Sequence, residues 1–318
     1  MDSDAQRTAK HVASCLQLGI LLEVSAHKPG NVNRTRGFRS TRYEHFLASA
    51  VAVEPSLECA AERGLMVSEK KLRPEDIGVG RAIKEAVANA NRWQHGGNTL
   101  LGTIILLTPI SAAAGMTIAP KEELSISELR KNIGVVVEST TPSDAVAAYE
   151  AIRLANPSGL VDKAPTLDVN DPESTKKIQE ENVTLCDVFK ISAPYDSISK
   201  EWVENYPITF ETGLPYFEAK LKDTTNLDVA ILHTFLRVLS AVPDTLIARK
   251  TSPEKAREVS REAGTVLKLG GLTTQSGREK LESLDRLLRE KSNQYNPGTT
   301  ADIIAAVLSI SILKGFRP

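Results

Sequence analysis

Four short segments combine carboxylates, cations, amides and glycines, and each adjoins an apolar stretch that can hold it rigidly. The first runs from Glu23 through Lys28-Pro29-Gly30-Asn31-Val32-Asn33-Arg34 to Arg36, Arg39 and Arg42. Five cations between Lys28 and Arg42, in a chain of formal net charge -1, form a local cluster. Guanidinium forks match phosphate oxygens, so a polyphosphate site is the sharp reading, and a solvated basic loop accounts for the charge equally well. The second segment, His95-Gly96-Gly97-Asn98-Thr99-Leu100-Leu101-Gly102, pairs glycines that let backbone approach a ligand with an asparagine that either caps the following helix or holds a nucleotide.

The third segment, Ala241-Val242-Pro243-Asp244-Thr245, places a carboxylate after an apolar run and before Arg249 and Lys250; Asp244 reads as a helix cap or as a ligand. The fourth is Tyr295-Asn296-Pro297-Gly298-Thr299-Thr300-Ala301-Asp302. Thr299 with Asp302 has the form of a capping box, whereas an Asp302 with a chemical role would face a metal ion. If Glu23, Asp244 and Asp302 converge, they would hold a hard divalent cation such as Mg2+, which prefers oxygen ligands and keeps part of its water shell. There is no Walker loop, no Rossmann glycine fingerprint and no nucleophile motif. None of His11, His27, His45, His95 and His233 has a zinc-ligand partner at helical spacing, and His233 reads as a satisfied core histidine.

The elements that must position these residues are helices. Ser125 with Glu128 and Ser276 with Glu279 have capping-box form, and Thr141-Pro142, Asp171-Pro172 and Ser252-Pro253 place proline at a first helical position, where its missing N–H is harmless. Leu281, Leu284, Leu287 and Leu288 form one apolar stripe, and residues 227–242 are apolar nearly all round. The β-rich run Val135-Val136-Val137 is read as a helix end, and the polar segment from Asn156 to Asp171 as a loop. The expectation is an all-α fold, one compact multi-helix domain spanning residues 1–318.

At 41% hydrophobic and 25% charged, 318 residues suffice for one large core, which excludes disorder, collagen and coiled coil. With 39 Lys plus Arg against 40 Asp plus Glu, no overall field favours nucleic acid. Cys15, Cys59 and Cys186 are too few and scattered for a disulfide framework, which suits a cytoplasmic protein. The acidic start Met1-Asp2-Ser3-Asp4 lacks the features of a secretory signal. Leu100 to Ile118 carries no charge, but its polar residues and lack of basic flanks read as a buried helix kinked at Pro109 and not as a membrane span. A homodimer is the base-rate expectation for a soluble enzyme.

Taken in order, Glu23…Lys28-Pro29-Gly30, Asn98-Thr99…Gly102, Asp244-Thr245 and Pro297-Gly298…Ala301-Asp302 resemble the triphosphoribosyl-dephospho-CoA synthase family across nearly the whole chain. The resemblance implies an all-helical, Mg2+-dependent transferase that takes ATP and 3′-dephospho-CoA. It joins the ribose C1 of ATP to the 2′-hydroxyl of dephospho-CoA and releases adenine. It further implies Glu23 and Asp302 as catalytic groups, and Glu23, Asp244 and Asp302 as metal ligands. Substrate contacts fall to Lys28, Asn31, Arg34, Arg36, Asn98, Thr99, Asp244, Thr245, Asn296, Thr299 and Thr300.

Three departures mark a divergent branch. Citrate-lyase-linked members read Asn-Thr-His-Lys-Gly where this chain reads Asn98-Thr99-Leu100-Leu101-Gly102. They read Lys-Pro-Gly-Leu-Val-Asp where this chain ends in Asn33, and their Gly-Ala-His-containing segment is replaced by Gly37-Phe38-Arg39-Ser40. The leading expectation is triphosphoribosyl transfer to 3′-dephospho-CoA or a closely related nucleotide-dependent transfer to another acceptor, with action on another N-glycoside or nucleotide binding without turnover as competing readings.

Overall fold

The computed structural model describes residues 3–118, 124–158 and 166–318. Residues 159–165 of the expected loop, and Met1 and Asp2 of the acidic start, lie outside the described residues. All regular structure among the described residues is helical, as the capping signals and periodicity imply. The first six helices are α1 (Ser3–Ser25), α2 (Tyr43–Ser68), α3 (Val79–Trp93), α4 (Leu101–Thr117), α5 (Ile126–Glu138) and α6 (Pro142–Ala155). Short helices follow: α7 (Pro172–Glu180), α8 (Leu185–Ser192), α9 (Ser197–Val203) and α10 (Leu214–Thr224), the last entered through a π-helical turn, Ile208–Gly213. The chain closes with α11 (Leu227–Ala241), α12 (Thr245–Lys250), α13 (Pro253–Lys268), α14 (Gln275–Arg289) and α15 (Gly298–Leu313).

Local sequence sets most of the helix starts. Ser125 accepts from the Glu128 amide, Thr141 and Asp144 cap reciprocally, and Asp171 and Ser252 cap helices whose first residue is proline. The run Val135–Val137 belongs to α5, as expected. The Ser276–Glu279 expectation is displaced: α14 starts two residues earlier, with the Thr274 hydroxyl accepting from the Gly277 amide at 3.0 Å. The left-handed turn at Gly270 and Gly271 delivers Thr274 in extended conformation, so the cap falls there and Ser276 is already in the first turn.

The buried apolar side chains of these helices join in one core around α4 and α15, which are apolar on every face. None of the described helices is long and apolar enough to cross a membrane. α2 and α4 pack backbone to backbone: a Cβ on Gly64 would run into the Ala112 carbonyl, and one on Gly115 into that of Ala61. α4 stays helical through Pro109. Proline has no N–H for the carbonyl four residues back, so Ile105 O must find another donor. The indole N–H of buried Trp202 supplies it at 3.1 Å, and the Tyr206 hydroxyl donates to the neighbouring Leu106 O at 2.9 Å. Beside them, Glu201 is fully buried on α9 and accepts from the Ile208 and Thr209 amides at 2.7 and 3.0 Å and from the Thr209 hydroxyl, which anchors the π-turn.

α1 and α15 run antiparallel in close contact. Gly19 faces Ser309, whose hydroxyl donates to Leu16 O at 3.3 Å, and Gly30 reaches Pro297 just ahead of α15. The C-terminal end of α1 therefore meets the N-terminal end of α15. α4 begins at that same end, where Gly102 touches Asp302, and so does α2, whose Tyr43 hydroxyl lies 2.9 Å from the Ser25 hydroxyl at the end of α1.

Replacing Trp202 with Phe leaves Ile105 O buried without a donor, and unfolding in urea should show a loss of about 1–3 kcal/mol. An unchanged midpoint would mean that water replaces the indole. Burial pushes the Glu201 carboxyl up to about 7 in the folded protein. The unfolded chain releases this proton first, so the stabilisation present in acid is lost as pH rises toward and through 7. Denaturant titrations from pH 5 to 8 should show Glu201→Gln flattening that decline, and a parallel pair of curves would remove the assignment.

Candidate active site

The four polar segments meet at one end of the helical bundle. Asp302, just past the first turn of α15, rests on the N-terminus of α4. Its Oδ1 accepts from the Thr103 hydroxyl at 2.5 Å, and its Oδ2 lies where a Cβ on Gly102 would collide with it. Asp302 thus serves as an acceptor for the unpaired donors of another helix. It does not cap its own: α15 starts at Gly298 behind Pro297, and no Thr299–Asp302 capping box forms. Asp302 keeps a partly accessible edge, yet burial pushes its carboxyl up to about 7. The nearby charges of Glu23 and Asp244 push the same way, and the Thr103 hydrogen bonds pull back.

Glu23 is buried in the last turns of α1, with Oε1 3.0 Å from Lys28 Nζ. Burial raises its carboxyl above the ordinary value and Lys28 opposes that. Lys28 is fully enclosed. Its ammonium donates to Glu23 O and, at 3.2 Å, to Ala26 O, adding a second donor to carbonyls at and just beyond the end of α1. The expectation that Lys28 binds polyphosphate is therefore replaced by an internal role: it neutralises Glu23 and closes α1. The arginines that follow stay outside. Arg34 is exposed and lies 3.6 Å from Asp228, Arg36 is exposed and pairs with Asp285, and Arg39 and Arg42 are exposed. Asn33, in the place of the family's aspartate, uses its carbonyl to accept from the Thr35 amide, the Thr35 hydroxyl and the Arg36 amide at 3.0–3.1 Å. Asn31 is buried, with its amide 3.4 Å from Pro29 O.

Asp244 caps α12, its Oδ1 accepting from the Leu246 and Ile247 amides at 2.9 and 3.1 Å. Its Oδ2 accepts from the Thr300 amide and hydroxyl at 2.7 and 2.8 Å, which ties α12 to α15. Burial raises this carboxyl, and the four hydrogen bonds oppose the shift. Thr245 continues the tie through Thr299 at 3.3 Å and the Ser197 amide at 3.2 Å. Asn296 accepts from Lys250 Nζ at 2.9 Å. Asn98, two residues ahead of the N-cap Leu100, accepts from the first amide of α4, Leu101, at 3.1 Å, and Thr99 pairs with the Ser49 hydroxyl at 2.7 Å. Leu100 and Leu101, where the family carries His and Lys, are buried in the apolar core.

The three carboxylates come close enough for their charges to act on Asp302, but among the described residues they do not form a ready ligand cluster. Asp244 has spent all four acceptor directions on N–H and O–H donors, so it does not fit as a metal ligand. No hydrogen bond within the described residues engages Oε2 of Glu23 or Oδ2 of Asp302, and these two oxygens fit the one or two carboxylates that a phosphate-bridged magnesium ion takes.

Sequence reasoning gave no role to several residues of this end of the molecule, although it named Arg249 and Lys250. Thr103 follows directly on the quoted Gly102. Arg249 pairs with Asp196, burial lowers its basicity, and the Asp302 charge opposes that. Lys250 also donates to Asn293 O at 3.0 Å, and burial lowers it to about 8 with Asp244 opposing. Their place directly after Asp244-Thr245 was the available signal. Asp285 and Arg289, which grip the Gly30 turn from α14, gave only an i, i+4 charge pair among many.

The family model described as ATP:dephospho-CoA triphosphoribosyl transferase (CitG) matches residues 9–317. Among solved structures, a crystal structure described as a triphosphoribosyl-dephospho-CoA synthase from Archaeoglobus fulgidus superimposes with a TM-score of 0.61 at 21% identity, covering 85% of this chain and 100% of that one. That likeness carries the fold. Together with the ordered motifs around Glu23, Gly102, Asp244 and Asp302, the match over nearly the full length establishes that this chain belongs to the ATP:dephospho-CoA triphosphoribosyl transferase family.

Proposed function

We propose that this protein transfers the triphosphoribosyl group of ATP to the 2′-hydroxyl of 3′-dephospho-CoA, or to a closely related acceptor, and releases adenine. The observation that carries this reading is the buried meeting of Glu23 and Asp302, with Asp302 oriented by Thr103 and titrating near neutrality. In the transfer, the bond from ribose C1 to adenine breaks and its electron pair leaves with the base. A bond from C1 to the acceptor oxygen forms, and the hydroxyl proton is passed on, ending in net balance on adenine. Positive charge grows at C1 on the way, and a carboxylate beside it is stabilising.

Asp302 suits the proton transfer, because a group near 7 both accepts and returns a proton at neutral pH. Glu23, held beside Lys28, suits the charge at C1. The triphosphate falls to the exposed arginines Arg34, Arg36, Arg39 and Arg42. Bound Mg2+ would be held by Glu23 and by the triphosphate itself and would neutralise phosphate oxygens, which leaves Asp302 for the proton. The buried leucines at 100 and 101 remove two polar side chains from the second segment, which favours an acceptor differing from dephospho-CoA in the part that meets this loop. With three free cysteines, the cytoplasm is the compartment that fits.

The direct test incubates purified protein with ATP, MgCl2 and dephospho-CoA and follows adenine and coupled product by mass spectrometry. Adenine with coupled product is expected. Adenine alone would favour hydrolysis of the N-glycoside, and ATP binding without either product would favour a silent nucleotide-binding protein.

In the active protein, Asp302→Asn should lower turnover by roughly 100-fold or more, with helicity preserved. Full activity would return Asp302 to a purely structural role. A general base works deprotonated, so kcat/KM should rise with pH through about 7 in the wild type, and the Asn variant should lack that limb.

A further inference from the structure

Asp285 is an enclosed acid on α14, its side chain 11% exposed, that grips the segment following α1 at two points and Arg289 of its own helix at a third. Its Oδ1 accepts from the Gly30 amide and from Arg289 Nε, both at 2.8 Å, and its Oδ2 pairs with Arg36. Arg289 carries the grip further: its other nitrogen donates to Asn31 O at 2.5 Å, and its guanidinium lies 5.4 Å from the centre of the Phe38 ring. Gly30 sits in the left-handed region at φ +70, so close to α14 that a Cβ would stand 2.7 Å from that of Leu288. Only glycine fits both the conformation and the approach.

The grip leaves its outer face open. The Arg36 side chain is 55% exposed, and a single nitrogen of its fork meets Asp285. No hydrogen bond among the described residues engages its remaining guanidinium N–H groups, and Arg34, two residues before it, makes only a long, half-exposed contact with Asp228. One acid holding two guanidinium groups leaves a net positive charge there, which suits an anion. A backbone anchor alone would need only the bond to Gly30 N–H.

We propose that Asp285 is a positioning residue for polyphosphate binding: it holds residues 30–36 against α14 so that Arg34 and Arg36 present their guanidinium groups to a nucleoside triphosphate. The inference rests on the triphosphate reading above. It adds that recognition is set from α14, outside the four motif segments.

The test compares wild type, Asp285→Asn and Arg289→Lys for binding of ATP and of adenosine by calorimetry, alongside limited trypsin digestion of the native protein. Asp285→Asn keeps size and an acceptor for Gly30 but loses the charge; Arg289→Lys keeps charge but loses the fork. Both should weaken ATP about tenfold, or ~1.4 kcal/mol, leave adenosine within about twofold, and speed cleavage between Arg34 and Arg42. Equal weakening of ATP and adenosine would overturn the proposal, and so would faster cleavage with unchanged ATP affinity, which marks an anchor only. A wild type that binds no ATP would overturn the triphosphate reading and this inference with it, whereas a wild type that binds ATP no better than the two variants overturns the inference alone.

Discussion

A carboxylate enclosed by protein must be given donors or keep its proton, and Asp302 is placed where both happen. The first turn of α4 offers backbone and hydroxyl donors, and Gly102 clears the space for the carboxylate to reach them. That single junction fixes the relation of α15 to α4, and the close α1–α15 contact then brings Glu23 to the same end. The supply of donors falls short of full compensation for burial and for two neighbouring negative charges, which is why the acid titrates near neutrality. Stability and reactivity at this end are set by the same shortfall.

The surrounding charges are arranged around that compromise. Lys28 lies inside and serves Glu23, and Arg249 and Lys250 stand on the other side, both weakened as bases by burial. Asp244 does the opposite work of Asp302, with four donors converging on its two oxygens, so it acts as a rivet between α12 and α15. The two acids thus divide into a structural and a reactive one by the number of donors each receives and by the accessible edge that Asp302 alone keeps.

Much of this was legible in the sequence where the cause is local. Thr141-Pro142 and Ser252-Pro253 start helices because cap and proline act within one turn, and the all-helical fold follows from such signals and the apolar periodicity. The motif order also marked out Glu23, Asp244 and Asp302, which the fold brings to one end. What stayed hidden depends on long-range burial. Lys28 looked like one more surface cation, because nothing beside it in sequence shows that it turns inward. That Asn98 meets the Leu101 amide could not be foreseen, because the start of α4 falls at Leu101 and not directly after the asparagine. The three-acid metal set failed at Asp244, since its donors come partly from Thr300, 56 residues away. Asp285 sat among the charges of a leucine-striped helix, and its partner Gly30 is 255 residues distant.

The antiparallel pairing of α1 with α15 joins early chain to late chain: Leu16 and Ser309, in direct contact, are separated by 293 residues. Closing so long a loop is entropically slow relative to the local helix contacts between them. On a ribosome, Glu23 emerges long before Asp302 and must wait, accompanied by Lys28 but without its opposing acid. The raised pKa of Asp302 cannot exist in a chain that lacks α15, because the carboxyl and its enclosure against α4 arrive together, into charges of Glu23 and Asp244 that are already made. Chemistry at this centre is consequently tied to the arrival of α15, and a product terminated before it would carry the arginine-rich segment without the means to act on what it attracts.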